Sequence, residues 1–165
     1  MDNCLLKKLA LQCNHLTETF RGVWSADNFP PMDGQEASFQ IVNTEPSTER
    51  GKHWILLCCQ NRGSKDKIVF WDSLGEGPKT YKKLYTRLID LYEQILVFNH
   101  PLQSHSSNCC GLYCLLMAHH LPNCMDFKTV AEMLPKKMVD ELALVRFMNY
   151  HYHTNFNFIA IWCNN

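Results

Sequence analysis

His53-Trp54-Ile55-Leu56-Leu57-Cys58-Cys59 is a nearly continuous apolar run. A strand with one wet face alternates apolar and polar residues, so an unbroken run predicts a central strand covered on both faces. Asn61-Arg62-Gly63-Ser64 follows as a turn, and Lys67-Ile68-Val69-Phe70-Trp71-Asp72 reads as the next strand. The two are expected to form a hairpin, which Ser73-Leu74-Gly75-Glu76-Gly77-Pro78 ends.

A sheet buried on both faces needs helices, and the flanking sequence supplies them. Residues 2–13 place Leu5, Leu6, Leu9 and Cys13 on one stripe, with Lys7 and Lys8 outside it. Residues 79–94 show helical spacing in Leu84, Leu88 and Leu91, with Tyr81 and Tyr85 beside them. A helix is expected from the Cys109-Cys110 junction until Pro122 stops it, and further helices over 126–134 and 136–150. Strands are expected at 37–43 and 95–98, and an end strand or extended tail at 156–162. Phe20-Arg21-Gly22-Val23-Trp24 is followed by a loop rich in Asp, Asn and Pro. The order is α, β-hairpin core, α, β, α, α. This predicts an α+β fold: a small, mostly antiparallel central sheet with helices around it.

With 165 residues, 46% of them hydrophobic, and no internal repeat or low-complexity linker, one domain over 1–165 is the economical expectation. Sixteen basic and sixteen acidic side chains balance, so nothing in the charge demands a nucleic acid or an anionic membrane. No apolar run approaches membrane-spanning length, and Met1-Asp2-Asn3-Cys4 has no signal-peptide pattern. The nine cysteines are odd in number and include two adjacent pairs, with no C-x-x-C. That is not a disulfide framework or a zinc knuckle, and the expectation is an intracellular chain with mostly reduced, buried thiols. His119-His120 and His151-x-His153 lack a third ligand at metal spacing, so no metal is expected.

The chemistry gathers at Gln103-Ser104-His105-Ser106-Ser107-Asn108-Cys109-Cys110-Gly111. This is a polar loop feeding an apolar helix, with Ser107 or Asn108 as N-cap. A thiol in the first turn lies near the positive end of the helix dipole, where a nucleophilic cysteine belongs. By local position either Cys109 or Cys110 could be that residue. A nucleophile also needs a base, a group to orient the base, and donors for an oxyanion. His53 opens one hairpin strand and Asp72 closes the other, so the two can meet at one edge. Gln103, seven residues before Cys110, can turn its amide back to join the Cys110 N–H in an oxyanion hole. Gly111 leaves room for a substrate backbone. Each residue has an ordinary reading taken singly: a surface histidine, a turn-forming aspartate, a packed cysteine. The four in this order are far more specific.

On these residues the chain resembles the adenovirus-type cysteine endopeptidases, the adenain family, in the clan of SUMO and ubiquitin-like-protein proteases. The resemblance is carried by His53-Trp54, by Asp72 in Phe70-Trp71-Asp72-Ser73-Leu74-Gly75, by Gln103 and by Cys110-Gly111. Ile41-Val42-Asn43-Thr44 before Gly51-x-His53-Trp54, Gly22 with Asp27-Asn28-Phe29-Pro30, and Cys110-Gly111-Leu112-Tyr113-Cys114 extend it over about residues 5–150. The resemblance selects Cys110 as nucleophile, because Gly111 follows it. It implies a papain-like, adenain-like fold with His53 as base, Asp72 as its orienter, and Gln103 with the Cys110 N–H as oxyanion hole. Trp54 would pack beside the imidazole. The implied activity is a viral thiol protease that cleaves capsid or core precursors after Gly or another small residue during virion maturation, in the host nucleus and the particle. The runner-up is a deconjugating protease for a ubiquitin-like modifier, and the third reading a non-catalytic binding module. The family's activating peptide attaches to a cysteine before the glutamine, and Tyr92 to Leu102 holds none. Its DNA activation goes with a basic chain, which this is not. The sequence therefore requires neither cofactor.

Overall fold

The computed structural model describes residues 3–32, 37–59, 67–121, 129–130, 134 and 139–154. The expected turn at 61–64, most of the 126–134 helix and the 156–162 segment lie outside these residues.

The chain runs through α1 (Asn3–Gln12), a short α2 (Asn14–Thr17), β1 (Phe20–Trp24), β2 (Ser38–Asn43), β3 (Trp54–Cys59) and β4 (Lys67–Trp71). A 3₁₀ turn (Pro78–Thr80), α3 (Lys82–Leu91), β5 (Gln94–Val97), α4 (Cys110–His120) and α5 (Glu141–Tyr152) follow. The five strands form one sheet in the order β1-β2-β3-β4-β5. The central pairs β2–β3 and β3–β4 are antiparallel, while the edge pairs β1–β2 and β4–β5 are parallel. The fold is α+β, with a mixed sheet that is antiparallel at its centre.

The unbroken apolar runs of β3 and β4 serve two cores at once. Trp54, Leu56, Cys58, Val69 and Trp71 face α1, α4 and α5. Ile55, Leu57, Cys59, Ile68 and Phe70 face α3 and the segment carrying Phe29 and Met32. Adjacent Cys58 and Cys59 thus lie in opposite layers, as strand alternation requires. Each fully buried Leu, Ile or Phe contributes about 1.5–3 kcal/mol to that packing.

α4 is apolar all round because it is enclosed all round: every residue from Cys110 to His119 is buried. Tyr152 of α5 fixes it by donating to Leu115 O (3.1 Å), and Tyr113 of α4 donates to Val139 O (2.7 Å). The helix expected over 136–150 is described from Glu141, and Asp140 caps it by accepting from Leu142 N–H (2.9 Å).

β1 has no counterpart among the expected strands. Its pairing with β2 shifts register between Phe20 and Val23, around Gly22 at φ +123°. A β-carbon on Gly22 would stand 2.8 Å from Trp24 Nε1, so only glycine fits this bulge.

Candidate active site

The open end of the β3–β4 pair carries the first two candidate side chains. Leu56 pairs with Trp71 across the ladder, so His53 and Asp72 emerge at the same edge, just outside their strands. His53 Nε2 lies 2.7 Å from Asp72 Oδ1. The carboxylate is fully buried, and each of its oxygens is used. Oδ1 also accepts from Leu74 N–H (2.9 Å), and Oδ2 accepts from the Tyr81 hydroxyl (2.6 Å). Asp72 is therefore a turn former and an imidazole partner together.

Cys110 comes from the other layer, as the first residue of α4. The N-cap is Cys109, not Ser107 or Asn108, and no side chain caps the helix; Ser107 Oγ instead accepts from Cys109 N–H (3.3 Å). The polar loop closes one residue later than its composition suggested. Cys110 N–H is one of the first-turn donors without an intrahelical acceptor, and the dipole's positive end points the same way. The Cys110 thiol and the His53 ring line the same cleft, and the thiol is among the groups that favour a proton on the ring. With Nε2 turned to Asp72, Nδ1 is the ring nitrogen left to exchange a proton with the thiol.

The expectation is of mostly reduced thiols, and Cys109 is the exception among the described cysteines: it is disulfide-bonded. Cys4, Cys13, Cys58, Cys59, Cys110 and Cys114 are free. Cys114, one turn after Cys110, is a buried core residue whose thiol contacts Trp54 O (3.5 Å), and burial pushes its pKa well up.

Gln103 is carried in by a loop that runs beside the end of β4. Phe98 N–H donates to Phe70 O (3.0 Å), Trp71 Nε1–H to His100 O (3.0 Å), and Leu102 and Gln103 N–H both to Ser73 O (2.9 Å). The amide is held at both ends: Oε1 accepts from the Ser73 hydroxyl (2.5 Å), and Nε2 donates to Ser107 O (2.7 Å). Gln103, Cys110, His53 and Trp54 line one cleft of about 420 Å³, whose rim includes Arg50 and Leu74. Trp54 is buried in the same cluster as Cys110, and Gly111 is buried as the second residue of α4.

Two further residues join the site. Tyr81, besides binding Asp72, stacks its ring on His53 at 5.8 Å between centroids and 28° between planes. Ser73 is completely buried against Gln103. In the sequence Tyr81 looks like part of a helical stripe and Ser73 like a strand-ending residue. The Asp72-Ser73-Leu74-Gly75 turn was the one available signal that more than Asp72 is fixed there.

Burial works against a charge on His53. The hydrogen bond His53 makes to Asp72, with the influence of Cys110, outweighs it and raises the imidazole to about 9. Burial, and then Asp72, push the Tyr81 phenol well above its ordinary range, so it stays a donor to the carboxylate. A buried carboxylate bonded to an imidazole that holds its proton, and a thiol at a helix start, thus meet in one cleft. Such an arrangement can hold a thiolate–imidazolium pair and move a proton to a group bonded to the sulfur's target.

Elsewhere, His119 gathers Cys13 (Sγ to Nδ1, 3.6 Å) and the rings of His120 and His151 (centroids 5.6 and 4.3 Å). Among the described residues no group of three or more His, Cys, Asp or Glu side chains is arranged to hold a metal ion. No described helix is long and apolar enough to cross a membrane.

No protein-family model matches the chain, and no curated protein sequence matches it. Its likenesses are to solved structures. One is the selenomethionine crystal structure of the ASFV pS273R protease, at 16% identity and TM-score 0.47, over 73% of this chain and 45% of that one. Another is AvrA delL154 with IP6 and CoA, at 16% identity and TM-score 0.48, over 72% of this chain and 47% of that one. This chain spans less than half the length of each. The chemistry of this chain is read from its own residues.

Proposed function

We propose that this chain is a cysteine endopeptidase with Cys110 as nucleophile, His53 as acid and base, and Asp72 as the orienter of His53. The observation that carries the reading is the buried His53–Asp72 pair in one cleft with the Cys110 thiol and Gln103. Cys110 Sγ attacks the carbonyl carbon of a bound peptide, forming a carbon–sulfur bond. The carbonyl oxygen takes up negative charge and accepts from the Cys110 N–H and a Gln103 Nε2–H. His53 Nδ1–H gives its proton to the amine nitrogen as the carbon–nitrogen bond breaks, leaving a thioester. The neutral imidazole then takes a proton from water, whose oxygen attacks the thioester; the carbon–sulfur bond breaks, releasing the acid and restoring the Cys110 thiolate beside protonated His53. Trp54 walls the imidazole from solvent.

The substrate class we propose follows the sequence resemblance: viral capsid or core precursors, cut after Gly or another small residue during particle maturation in the nucleus. An activating peptide or DNA is not required by this reading. Cleavage-site profiling with a diverse peptide library, using Cys110→Ala as blank, tests it. Cuts within peptides after Gly or a small residue are expected. Activity confined to a folded ubiquitin-like modifier with a Gly-Gly tail would favour deconjugation instead. No activity on either class, with or without DNA and viral peptides, would leave a binding module and end the proposal.

A further inference from the structure

Gln103 is useful as an oxyanion donor only if its NH₂ end faces the cleft. A primary amide has nearly the same shape either way round, with two N–H donors at one end and an acceptor oxygen at the other. Flipped, it would aim a carbonyl dipole at a developing negative charge. The choice of end must therefore be imposed by its surroundings: Ser107 O, which can only accept, selects it, and the Ser73 hydroxyl, which can donate or accept, holds the oxygen end so selected. Ser107 O accepts from Nε2 (2.7 Å), and the Ser73 hydroxyl donates to Oε1 (2.5 Å). Together they consume the carbonyl oxygen and one N–H, leaving the second N–H for the cleft that Gln103 and Cys110 share.

We propose that Ser73 is a positioning residue for the oxyanion hole, its hydroxyl anchoring the Gln103 amide oxygen so that the NH₂ end selected by Ser107 O stays turned to the reacting carbonyl. Because Ser73 follows Asp72 directly, one dipeptide at the end of β4 holds both the imidazole and the oxyanion donor. Their relative placement then depends on a single stretch of backbone rather than on two independent loops. The backbone part of this anchoring is separate: Ser73 O takes the Leu102 and Gln103 N–H groups whatever the side chain is (both 2.9 Å). Ser73→Ala therefore keeps the loop attached and removes only the hydroxyl, leaving a buried amide oxygen unpaired and the amide freer to turn.

The assignment rests on the peptidase reading, and its test separates the two. Steady-state kinetics on a cleaved library peptide are measured for wild type, Ser73→Ala, Ser73→Cys, Gln103→Ala and Ser73→Ala/Gln103→Ala. Iodoacetamide alkylation of Cys110, followed by mass spectrometry, is measured alongside, because that displacement forms no oxyanion. A missing oxyanion donor costs about 100–1,000-fold in kcat, so a loosely held one is expected to cost about 10–100-fold. Ser73→Ala should show that loss in kcat, with KM within about 2-fold and Cys110 alkylation at the wild-type rate. Ser73→Cys fills the same space with a weak donor and should fall with Ser73→Ala. Adding Ser73→Ala to Gln103→Ala should change kcat by less than about 3-fold, since the amide it orients is gone. Full activity in Ser73→Ala or Ser73→Cys, a loss that persists undiminished without Gln103, or a parallel loss of alkylation overturns the Ser73 assignment alone. A wild-type protein that cleaves no peptide overturns the peptidase reading beneath it.

Discussion

Tyr81 donates its hydroxyl to Asp72 Oδ2 at 2.6 Å while its ring stacks on His53, so one side chain braces both the carboxylate and the imidazole it orients. The two contacts can be removed separately. Tyr81→Phe keeps the stacking and removes one hydrogen bond to a buried charge, an interaction of about 1.5–3 kcal/mol. A fall in kcat/KM of about 10-fold is expected, with Tyr81→Ala falling further because the ring is lost as well. Steady-state kinetics on a library-selected peptide decide it: wild-type kinetics in Tyr81→Phe would leave Asp72 needing no brace.

Asp72→Asn should be more damaging than Tyr81→Phe. It removes the charge that helps hold the His53 proton and offers the ring a less suitable partner. The imidazole pKa should move down from about 9, and kcat should fall by at least about 10-fold. Following His53 by NMR across pH, together with kinetics, checks both. An unmoved His53 titration would remove Asp72 as the group that raises it.

The proton on His53 also links the site to stability. Its folded pKa, about 9, lies above the ordinary histidine value of about 6.5, so the folded state holds this proton more tightly. The resulting stabilisation is complete below about pH 6.5, declines as pH rises, and is lost through about pH 9. Urea unfolding at about pH 6 and about pH 9.5 should show wild type losing more stability than His53→Gln over that interval. Equal losses in the two proteins would mean the imidazole is not held charged.

Gly51 tests the wall of the cleft. A β-carbon there would lie 2.4 Å from Asn43 Nδ2, and Asn43 Oδ1 is engaged with Glu45 N–H (2.9 Å). Gly51→Ala should cost about 1–3 kcal/mol, as overpacking does, and displace the segment leading into His53. A lower melting temperature with reduced kcat/KM is expected; an unchanged melting temperature would show that Asn43 yields freely.

Much of this arrangement was legible in the residues. The apolar runs at 54–59 and 67–71 declared a strand pair covered on both faces, and His53 and Asp72 follow from where those runs begin and end. β1 was not legible, because its glycine bulge breaks the alternation that marks a strand. β5 joins in parallel, which its neighbours in sequence do not announce. Ser73 and Tyr81 act through contacts across the fold, and a serine ending a strand or a tyrosine near a helix carries no local mark of that. Nor does Cys109, whose disulfide depends on which cysteine the fold brings near.

The central claim is that Cys110, paired with His53, is the nucleophile. Peptide cleavage and substoichiometric iodoacetamide labelling, located by mass spectrometry, should be compared in wild type, Cys110→Ala and Cys109→Ser. Cleavage is expected to vanish in Cys110→Ala while the fold is retained, with label on Cys110 in wild type and cleavage persisting in Cys109→Ser. Cleavage surviving in Cys110→Ala, or lost in a folded Cys109→Ser whose Cys110 still labels normally, would contradict the assignment.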